Sequence, residues 1–444
     1  MSVKERLKAS SINQMVRFLP HLSDDRIIKI TELVEKIVPE ESKILLKQIR
    51  ELFKTHPLSL VYTKRVVAGV NSKCRKKVLE NLLINGIVKN QDLRIKNEKQ
   101  GHAPLFTLLI SPTMRCNLKC VGCYAVNYQK QDDLPFEIFD RIIKEGKEMG
   151  VAFFTILGGE PLVYKDIFKI FEKHSDAYFH VYTNGTLVND DICKKLAKLG
   201  NVGITFSIEG FEEETSVRRG AGVYKKIMDG MDLMQKYGIP HGYSVCVTKK
   251  NIEKIASDEF VDLMIKKGCV LGWYFLYMPV GGDKNLDLMP SPKQRLYLKK
   301  RMDNIRKNKP ILTVDFWNDA PLVGGCIAGK LYAHVNNSGD VEPCIFTHYS
   351  QANVKNISLM DALDKPFYKE LRKIQPYNEN LYMPCMLIDN PKVFRDLHKK
   401  YKDLKPTHPD AENFVNCLQK QINEYSREMK KIYDPIWKKE KAGK

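Results

Sequence analysis

The chain lacks several features that would place it in common classes of protein. No stretch of its 444 residues reaches the roughly 18 uninterrupted apolar residues of a membrane-spanning helix. The N-terminus has no apolar signal core, because Lys4, Arg6 and Lys8 lead into polar residues. No internal repeat and no low-complexity segment is evident. These absences predict a cytoplasmic globular protein, with peripheral binding at the inner face of a membrane as an alternative.

A disulfide framework is also missing. The 11 cysteines are scattered along the chain, whereas small secreted proteins carry dense cysteines at regular spacings. Hydrophobic residues make up 43% of the chain and charged residues 28%, as in a globular protein with a sizeable core. At this length we expect two or three domains in a reducing compartment.

The net charge of +19 is concentrated at the two ends of the chain. Residues 1–104 hold 21 Lys and Arg against 11 Asp and Glu, and residues 391–444 hold 14 against 8. Such basic regions attract anionic lipid or acidic peptides, and they equally form solvated helix faces. No base-stacking module accompanies them, so nucleic acid is not an expected partner.

The hydrophobic pattern changes near residue 105. Before it, helical spacing predicts helices over about 24–37, 44–53 and 66–87 that pack as a subdomain, cover a site or lie on a membrane. After it, apolar strand-like runs alternate with amphipathic helices, at 105–110, 152–156, 178–182, 202–207, 243–247 and 270–277. Six strand–helix units predict a parallel α/β sheet with right-handed crossovers, either doubly wound or curled into a barrel.

The most informative stretch follows the first of these strands. Cys116, Cys120 and Cys123 stand at C-x3-C-x2-C spacing. Three thiolates on one loop can bind three irons of a four-iron cluster and leave the fourth iron without a protein ligand. Structural zinc needs four ligands, and no second pair lies at zinc-finger spacing. Three buried cysteines without metal are the remaining alternative.

This loop resembles that of the radical S-adenosylmethionine (radical SAM) superfamily. The second strand is followed by Gly158-Gly159-Glu160, which resembles the segment that binds the methionine amino group in that superfamily. The third strand ends in Thr183-Asn184-Gly185, similar to the superfamily's TNG segment, although a plain turn explains it as well. One departure is Gly122, where the superfamily often has an aromatic residue. Tyr124 is the candidate to stack near the adenine instead.

The resemblance implies a partial (β/α)6 TIM-like barrel, with the cofactors at the carboxyl ends of the strands. It also implies that Ser207 lies near the polar groups of S-adenosylmethionine and that Arg218 or Arg219 faces its carboxylate. Tyr277, at the end of the sixth predicted strand, is a candidate residue on the radical path or a hydrogen-bonding residue, with core packing as the alternative. Asp315 is a candidate proton acceptor at a strand end, with capping of the next turn as the alternative.

A second cysteine set begins after residue 310. Cys326 and Cys344 flank a predicted hairpin as C-x12-G-x4-C, which resembles the opening of the SPASM domain of radical SAM enzymes. The C-x2-C-x5-C-x3-C pattern that normally follows is missing, and only Cys385 and Cys417 come later. We therefore expect a shorter, Twitch-like domain with one auxiliary iron–sulfur cluster on Cys326, Cys344 and Cys385. Its fourth ligand is left open between Cys417, another side chain and the substrate.

These patterns divide the chain into four regions. They are a helical N-terminal domain over 1–104, a radical SAM core over 105–310, a Twitch-like domain over 311–390 and a basic helical tail over 391–444. The resemblance implies one-electron reduction by a flavodoxin or ferredoxin, cleavage of S-adenosylmethionine and removal of hydrogen from an unactivated C–H bond. That is oxidoreductase-like or C–C or C–S bond-forming chemistry. A peptide or protein side chain is the expected substrate, a membrane-lipid chain is an alternative, and a non-catalytic electron carrier is a second alternative.

Overall fold

The computed structural model describes residues 18–36, 40–128, 132–282 and 285–442. Its centre is a nine-stranded sheet in the order β7-β6-β5-β4-β3-β2-β1-β8-β9. All neighbours pair in parallel except β8 and β9, which form an antiparallel hairpin. The strands are β1 Thr107–Ile110, β2 Phe153–Ile156, β3 Phe179–Thr183, β4 Val202–Ser207, β5 His241–Val247, β6 Leu271–Leu276, β7 Leu312–Asp315, β8 Tyr332–Val335 and β9 Val341–Glu342.

The six predicted strands are confirmed, with ends that differ by no more than two residues. The sheet is larger than six strands, because β7 pairs with β6 at one edge and β8 pairs with β1 at the other. The ring of Phe316, just after β7, lies 6.2 Å from that of Tyr332 on β8, so the two edges approach each other. The sheet therefore continues across residue 310, and the division of domains at that position stays a prediction.

The helical N-terminal region consists of α1 Asp24–Glu35, α2 Glu40–Thr55, α3 Pro57–Gly69, α4 Ser72–Lys77, a π-helical segment Val78–Lys89 and α5 Gln91–Lys99. The single helix predicted over 66–87 is wrong. The chain leaves helical geometry at Val70, and the Asn71 side chain caps α4 by accepting the N–H of Cys74. Asn71 also donates to the carbonyl of Tyr237, so the break anchors this region to the barrel.

These helices pack beneath the barrel, at the amino ends of its strands. Arg94 donates to the carbonyls of Gly86 and Gly150 at 2.7 Å each, just before β2. Asn81 donates to Ala177 before β3, and Arg65 donates to Cys269 before β6. The N-terminal region thus forms a subdomain and lies at the opposite end of the strands from the cysteine loop.

The helices between the strands cover the outside of the sheet, and the later ones follow the hairpin. They are α6 Phe136–Glu148, α7 Ile167–Lys173, α8 Asp190–Leu199, α9 Glu212–Arg219, α10 Val223–Tyr237, α11 Ile252–Ile255, α12 Asp258–Lys266, α13 Pro292–Asn308, α14 Leu359–Leu363, α15 Pro366–Lys373, α16 Pro391–Lys400, α17 Ala411–Cys417 and α18 Gln419–Ala442. A short second sheet pairs β10 Tyr349–Ser350 with β11 Lys405–Pro406.

The basic tail packs back on the barrel. Tyr433 on α18 donates to Asn318, and Tyr425 donates to the carbonyl of Pro290. None of the described helices is long and apolar enough to cross a membrane.

Candidate active site

One large cavity runs through the inside of the barrel. Its volume is about 1010 Å³, at the upper end of the roughly 300–1,000 Å³ of ligand pockets. Ordinary TIM barrels fill this space with side chains. Here the cavity is lined at one end by both cysteine sets and by the segments predicted to hold S-adenosylmethionine. The structure therefore brings these residues, which lie up to about 270 positions apart in the sequence, to one cavity.

The cysteine loop rests directly on the glycine segment after β2. Gly159 donates its N–H to the carbonyl of Thr113 at 2.9 Å, and Glu160 donates to that of Arg115 at 2.9 Å. A Cβ on Gly158 would lie 2.4 Å from the Thr113 oxygen, and one on Gly159 would lie 2.2 Å from the Arg115 oxygen. Glycine is needed at both positions because the backbone of this segment packs directly on the backbone that leads into the cysteine loop. The sequence did not reveal this contact.

Glu160 ties this segment to the end of β3. Its fully buried carboxylate accepts hydrogen bonds from the hydroxyl of Thr183 at 2.7 Å and from the N–H groups of Asn184 and Leu162. Burial raises the pKa of Glu160, and these three hydrogen bonds oppose that rise. The carboxylate thus holds the loop after β2 and the TNG turn in one fixed arrangement.

The thiols of the cysteine loop receive hydrogen bonds from several directions. The Cys116 sulfur accepts the N–H of Leu118 at 3.4 Å and the Asn184 amide at 3.7 Å. Arg219 approaches the Cys120 sulfur at 3.9 Å. Such donors stabilise thiolate ligands and tune the potential of a cluster. The TNG segment is therefore more than a turn, and Asn184 and Arg219 join the site.

Two arginines and one buried glutamate flank the loop. Arg218 and Arg219 both pair with Glu209 at 2.5 Å, and Arg218 also donates to the carbonyl of Gly122 at 3.4 Å. Both arginines line the cavity. Sequence reasoning placed Arg218 toward a carboxylate of the cofactor but missed Glu209 as its partner in the protein.

Tyr277 occupies the space beside Gly122. A Cβ on Gly122 would lie 2.6 Å from Cε2 of the Tyr277 ring. An aromatic ring from the end of β6 therefore lies where the superfamily often has an aromatic side chain on the loop itself. Tyr277 lines the cavity and is almost fully buried. Its predicted role on the radical path stays a prediction.

Tyr124 points toward the second cysteine set. Its ring packs edge-on against Phe346, with centroids 5.8 Å apart. Ser207 lies half-buried at the end of β4, where its hydroxyl is 3.5 Å from that of Ser244. Both residues line the cavity, as predicted cofactor-binding residues should. Stacking of Tyr124 on adenine stays a prediction.

Asp315 lies away from the cavity lining. Its buried carboxylate accepts the Asn318 amide at 2.6 Å and the Asn318 N–H at 3.4 Å, within the turn that follows β7. Burial raises the pKa of Asp315 to about 6. The Asp315 carboxylate thus caps the turn after β7, which was the alternative to a catalytic role. Its predicted role as a proton acceptor gains no support.

Cys326, Cys344 and Cys385 line the same cavity as the first set. The Cys344 sulfur accepts the N–H of Phe346 at 3.5 Å, and the Cys385 sulfur accepts that of Leu387 at 3.4 Å. This is the same hydrogen bond, from the residue two positions on, that Cys116 receives. Three convergent thiols with such donors fit an iron–sulfur cluster in their chemistry.

Two other cysteines lie outside both sets. Cys417 is exposed on α17 and is not among the residues that line the cavity, so its role as fourth ligand gains no support. Cys246, which belongs to neither cysteine set, is half-buried and lines the cavity at the end of β5. Over the described ranges, no group of three or more His, Cys, Asp or Glu is arranged to hold a metal ion. A four-iron cluster instead places each thiolate on its own iron.

Comparison with known proteins identifies the class. The model of the radical SAM superfamily matches residues 110–260, and the model of the SPASM iron–sulfur cluster-binding domain matches residues 326–387. The chain therefore contains a radical SAM domain and a SPASM domain. Its cofactors are accordingly a four-iron (4Fe–4S) cluster and S-adenosylmethionine, with auxiliary iron–sulfur binding in the SPASM domain.

The matches with individual relatives extend over most of the length of those relatives. The chain is 25% identical to the AdoMet-dependent heme synthase of Methanosarcina barkeri over 272 residues, 55% of this chain and 77% of that protein. It is 28% identical to the mycofactocin maturase MftC of Mycobacterium tuberculosis over 286 residues, 57% of this chain and 71% of that protein. Streptococcus suis SuiB bound to S-adenosylmethionine shares the fold, with a TM-score of 0.55, 22% identity and coverage of 64% and 72%.

Proposed function

We propose that this protein is a radical SAM enzyme that reductively cleaves S-adenosylmethionine and removes a hydrogen atom from an unactivated C–H bond. The observation that carries the proposal is the shared cavity. Cys116, Cys120 and Cys123, the Gly158–Gly159 segment and the second cysteine set all line it. A protein that only carried electrons would not need such a cavity beside its cluster.

In this proposal Cys116, Cys120 and Cys123 hold the four-iron cluster, with S-adenosylmethionine at its open iron. When bound, this pair supplies the 5′-deoxyadenosyl radical, with one electron from a flavodoxin or ferredoxin. Gly158 and Gly159 form the wall at the methionine amino group, Glu160 holds this segment in place from outside the cavity lining, and Ser207 and Arg218 bind polar groups of the cofactor. The chain's own contribution is to bind, orient and exclude water.

Cys326, Cys344 and Cys385 are proposed as ligands of one auxiliary cluster. Burial raises the pKa of the Cys326 thiol to about 12 and that of Cys344 to about 11. Without metal these thiols are therefore protonated at neutral pH, and binding of a cluster releases their protons. The partly buried ring of Tyr182 and the buried ring of Tyr332 line the same cavity as this set.

The test is formation of 5′-deoxyadenosine. Anaerobically reconstituted protein with dithionite and S-adenosylmethionine should form it, and the Cys116→Ala variant should not. Flavodoxin in place of dithionite tests the natural type of reductant. If the wild-type protein binds iron but forms no 5′-deoxyadenosine, the enzyme proposal fails and the electron-carrier alternative gains support.

A peptide side chain is the first candidate substrate. Relatives are named as maturation proteins, including MftC and the sporulation killing factor maturation protein SkfB of Bacillus subtilis. SuiB has been crystallised with the precursor peptide SuiA. The AdoMet-dependent heme synthase, at a similar identity, bears a name of another substrate class. The names of the relatives thus point to more than one class of substrate.

A hydrocarbon chain is the second candidate, and the composition of the cavity favours it. The lower part of the barrel interior is lined by aromatic rings, among them Phe106, Phe153, Trp273 and Phe275. Phe106 and Phe153 pack edge-on at 5.6 Å, and Trp273 and Phe275 stack at 5.7 Å. Such a lining stabilises apolar groups by excluding water from them.

A further inference from the structure

The cavity has a second opening, far from the cysteine loop. Ile95 on α5, Leu312 at the start of β7 and Val323 in the segment between β7 and β8 all line it. These three side chains are 42%, 53% and 52% exposed, and the neighbouring Leu322, which also lines the cavity, is 81% exposed. Because lining residues are exposed there, the cavity reaches solvent between the free edge of β7 and α5.

The rim of this opening combines large aliphatic side chains with charged ones, because Glu98, Arg306 and Asp319 also line the cavity. The charged groups are paired within the protein, Arg306 with Asp319 and Glu98 with Lys330. Large aliphatic side chains on a monomer's surface are normal when scattered, but a contiguous group at the mouth of a cavity marks a binding site. Leu322 and Val323 lie in a 3-10 turn, Ala320–Val323, held by Gly324 in the left-handed region. Neither residue belongs to the buried core clusters. Packing within the chain therefore does not explain them.

Several polar side chains between this opening and the cofactor end are engaged within the protein, whereas the buried hydroxyl of Thr313, which also lines the cavity, has no hydrogen-bond partner. The Thr107 hydroxyl donates to the carbonyl of Phe153 at 2.9 Å, and His180 Nε2 lies 2.7 Å from the Thr205 hydroxyl. Arg94 is satisfied by three backbone carbonyls. The indole nitrogen of Trp273 is buried and also lacks a hydrogen-bond partner.

We infer that a long hydrocarbon chain, such as a lipid acyl chain, lies in the lower barrel cavity and enters through the opening at Ile95, Leu312, Leu322 and Val323. This inference rests on the proposed function and names its substrate class. A buried peptide would bring an N–H and a C=O at every residue, and each needs a hydrogen-bond partner. Methylene groups need none, and their burial here is favourable.

The size of the cavity agrees with this occupant. A methylene group takes about 30 Å³, close to the share of a water molecule in the liquid. A chain of 16 carbons therefore needs roughly half of the 1010 Å³ and leaves room at the cysteine end for S-adenosylmethionine.

The test is binding of saturated fatty acids of 8 to 18 carbons to the reconstituted holoenzyme, measured by calorimetry. We expect affinity to rise by up to about fourfold per added methylene group until the cavity is filled. A lysophosphatidylglycerol of the same chain length distinguishes a lipid-attached chain from the free acid. A short unlabelled peptide of mixed sequence is the competing ligand.

The matched variants are Val323→Asp at the opening and Val61→Asp on α3, since the two valines are 52% and 48% exposed. Val61 does not line the cavity. We expect Val323→Asp to weaken binding of the 16-carbon acid at least tenfold and Val61→Asp to leave it within twofold. Equal effects of the two variants, or affinity independent of chain length, would overturn the inference.

Formation of 5′-deoxyadenosine is followed in the same samples. If it forms but only peptides bind or stimulate it, the hydrocarbon inference is wrong and the proposed function stands. If it does not form under any condition, the proposed function fails. The dependence of binding on chain length then still tests whether the cavity holds a hydrocarbon chain.

Discussion

At the scale of single residues, the active site depends on two positions that lack a side chain. Gly158 and Gly159 allow the carbonyls of Thr113 and Arg115 to approach within contact distance. Those carbonyls belong to the segment that leads into Cys116. The position of the first thiol is therefore set by glycines more than 40 residues later in the chain.

Replacement of Gly159 by alanine tests this dependence. The added Cβ would lie 2.2 Å from the Arg115 oxygen, so the cysteine loop must move. We expect a cost of about 1–3 kcal/mol and a fall of at least tenfold in 5′-deoxyadenosine formation, with reduced iron content. Gly69→Ala is the control, because nothing lies within 4 Å of its added Cβ. Unchanged activity in Gly159→Ala would show that the loop is not held by this contact.

The buried carboxyl of Asp315 should make stability depend on pH. Its pKa is raised from 3.8 to about 6 by burial, so the folded protein binds this proton more tightly than the unfolded chain. This contribution is fully present below pH 4 and is lost as pH rises to about 6, a change of about 3 kcal/mol.

Asp315→Asn should remove that part of the pH dependence. The free energy of unfolding of the metal-free protein is measured at pH 4.5 and pH 7.5. Relative to wild type, the variant should be more stable at pH 7.5 than at pH 4.5. Asp191→Asn, at an exposed position on α8, should leave the wild-type pH dependence in place. A parallel pH dependence in Asp315→Asn and wild type would contradict the assignment.

At the scale of elements, α5 joins the N-terminal helices to the barrel. The Arg94 guanidinium donates to Gly86, Ile87 and Gly150, and it lies 5.3 Å from the centre of the Phe106 ring. Gly86 in turn packs on the backbone of Ala152, where a Cβ would lie 2.5 Å from the oxygen. These contacts fix the floor of the cavity.

Removal of the Arg94 side chain should loosen this floor. Hydrogen bonds from a charged donor are worth about 1.5–3 kcal/mol each in favourable cases, and they are not additive. We therefore expect Arg94→Ala to lower the free energy of unfolding by about 2–4 kcal/mol. Lys96→Ala, on the exposed face of the same helix, should change it by less than about 0.5 kcal/mol. Denaturant titration measures both, and similar values would contradict a docking role for Arg94.

At the scale of the whole molecule, the barrel and the SPASM domain share one sheet and one cavity. β8 pairs with β1 along its full length, in register from Thr107 with Tyr332 to Ile110 with Val335. This pairing places Cys326 and Cys344 on the same cavity as the first cysteine loop. The second thiol set therefore faces the same cavity as the first.

Iron analysis tests whether two clusters are present. The Cys326→Ala/Cys344→Ala/Cys385→Ala variant should lose about four irons per chain and keep the other cluster. Because Cys116, Cys120 and Cys123 are unchanged, it should still form 5′-deoxyadenosine. The Cys74→Ala variant, at a buried cysteine outside the cavity, should keep all its iron. Wild-type iron content in the triple variant would show that the second set holds no cluster.

The sequence by itself determined the strands of the barrel and the chemistry of the cysteine loop. Apolar runs between amphipathic helices are local patterns, so β1 to β6 were predictable within two residues. The cysteine loop was recognisable because the chemistry of thiolates depends on residue type and spacing along one chain. The roles of the glycine segment and of Ser207 were predicted from the resemblance to the superfamily and stay predictions.

Only the tertiary structure decided which parts meet. The pairing of β8 with β1, the ring of Tyr277 beside Gly122 and the arginine pair on Glu209 join positions far apart in sequence, and no local periodicity encodes them. Asp315 looked catalytic at a strand end, but its turn directs the carboxylate to Asn318. The apolar cavity and its second opening arise because the sheet curls without filling its interior, a property of the packed whole.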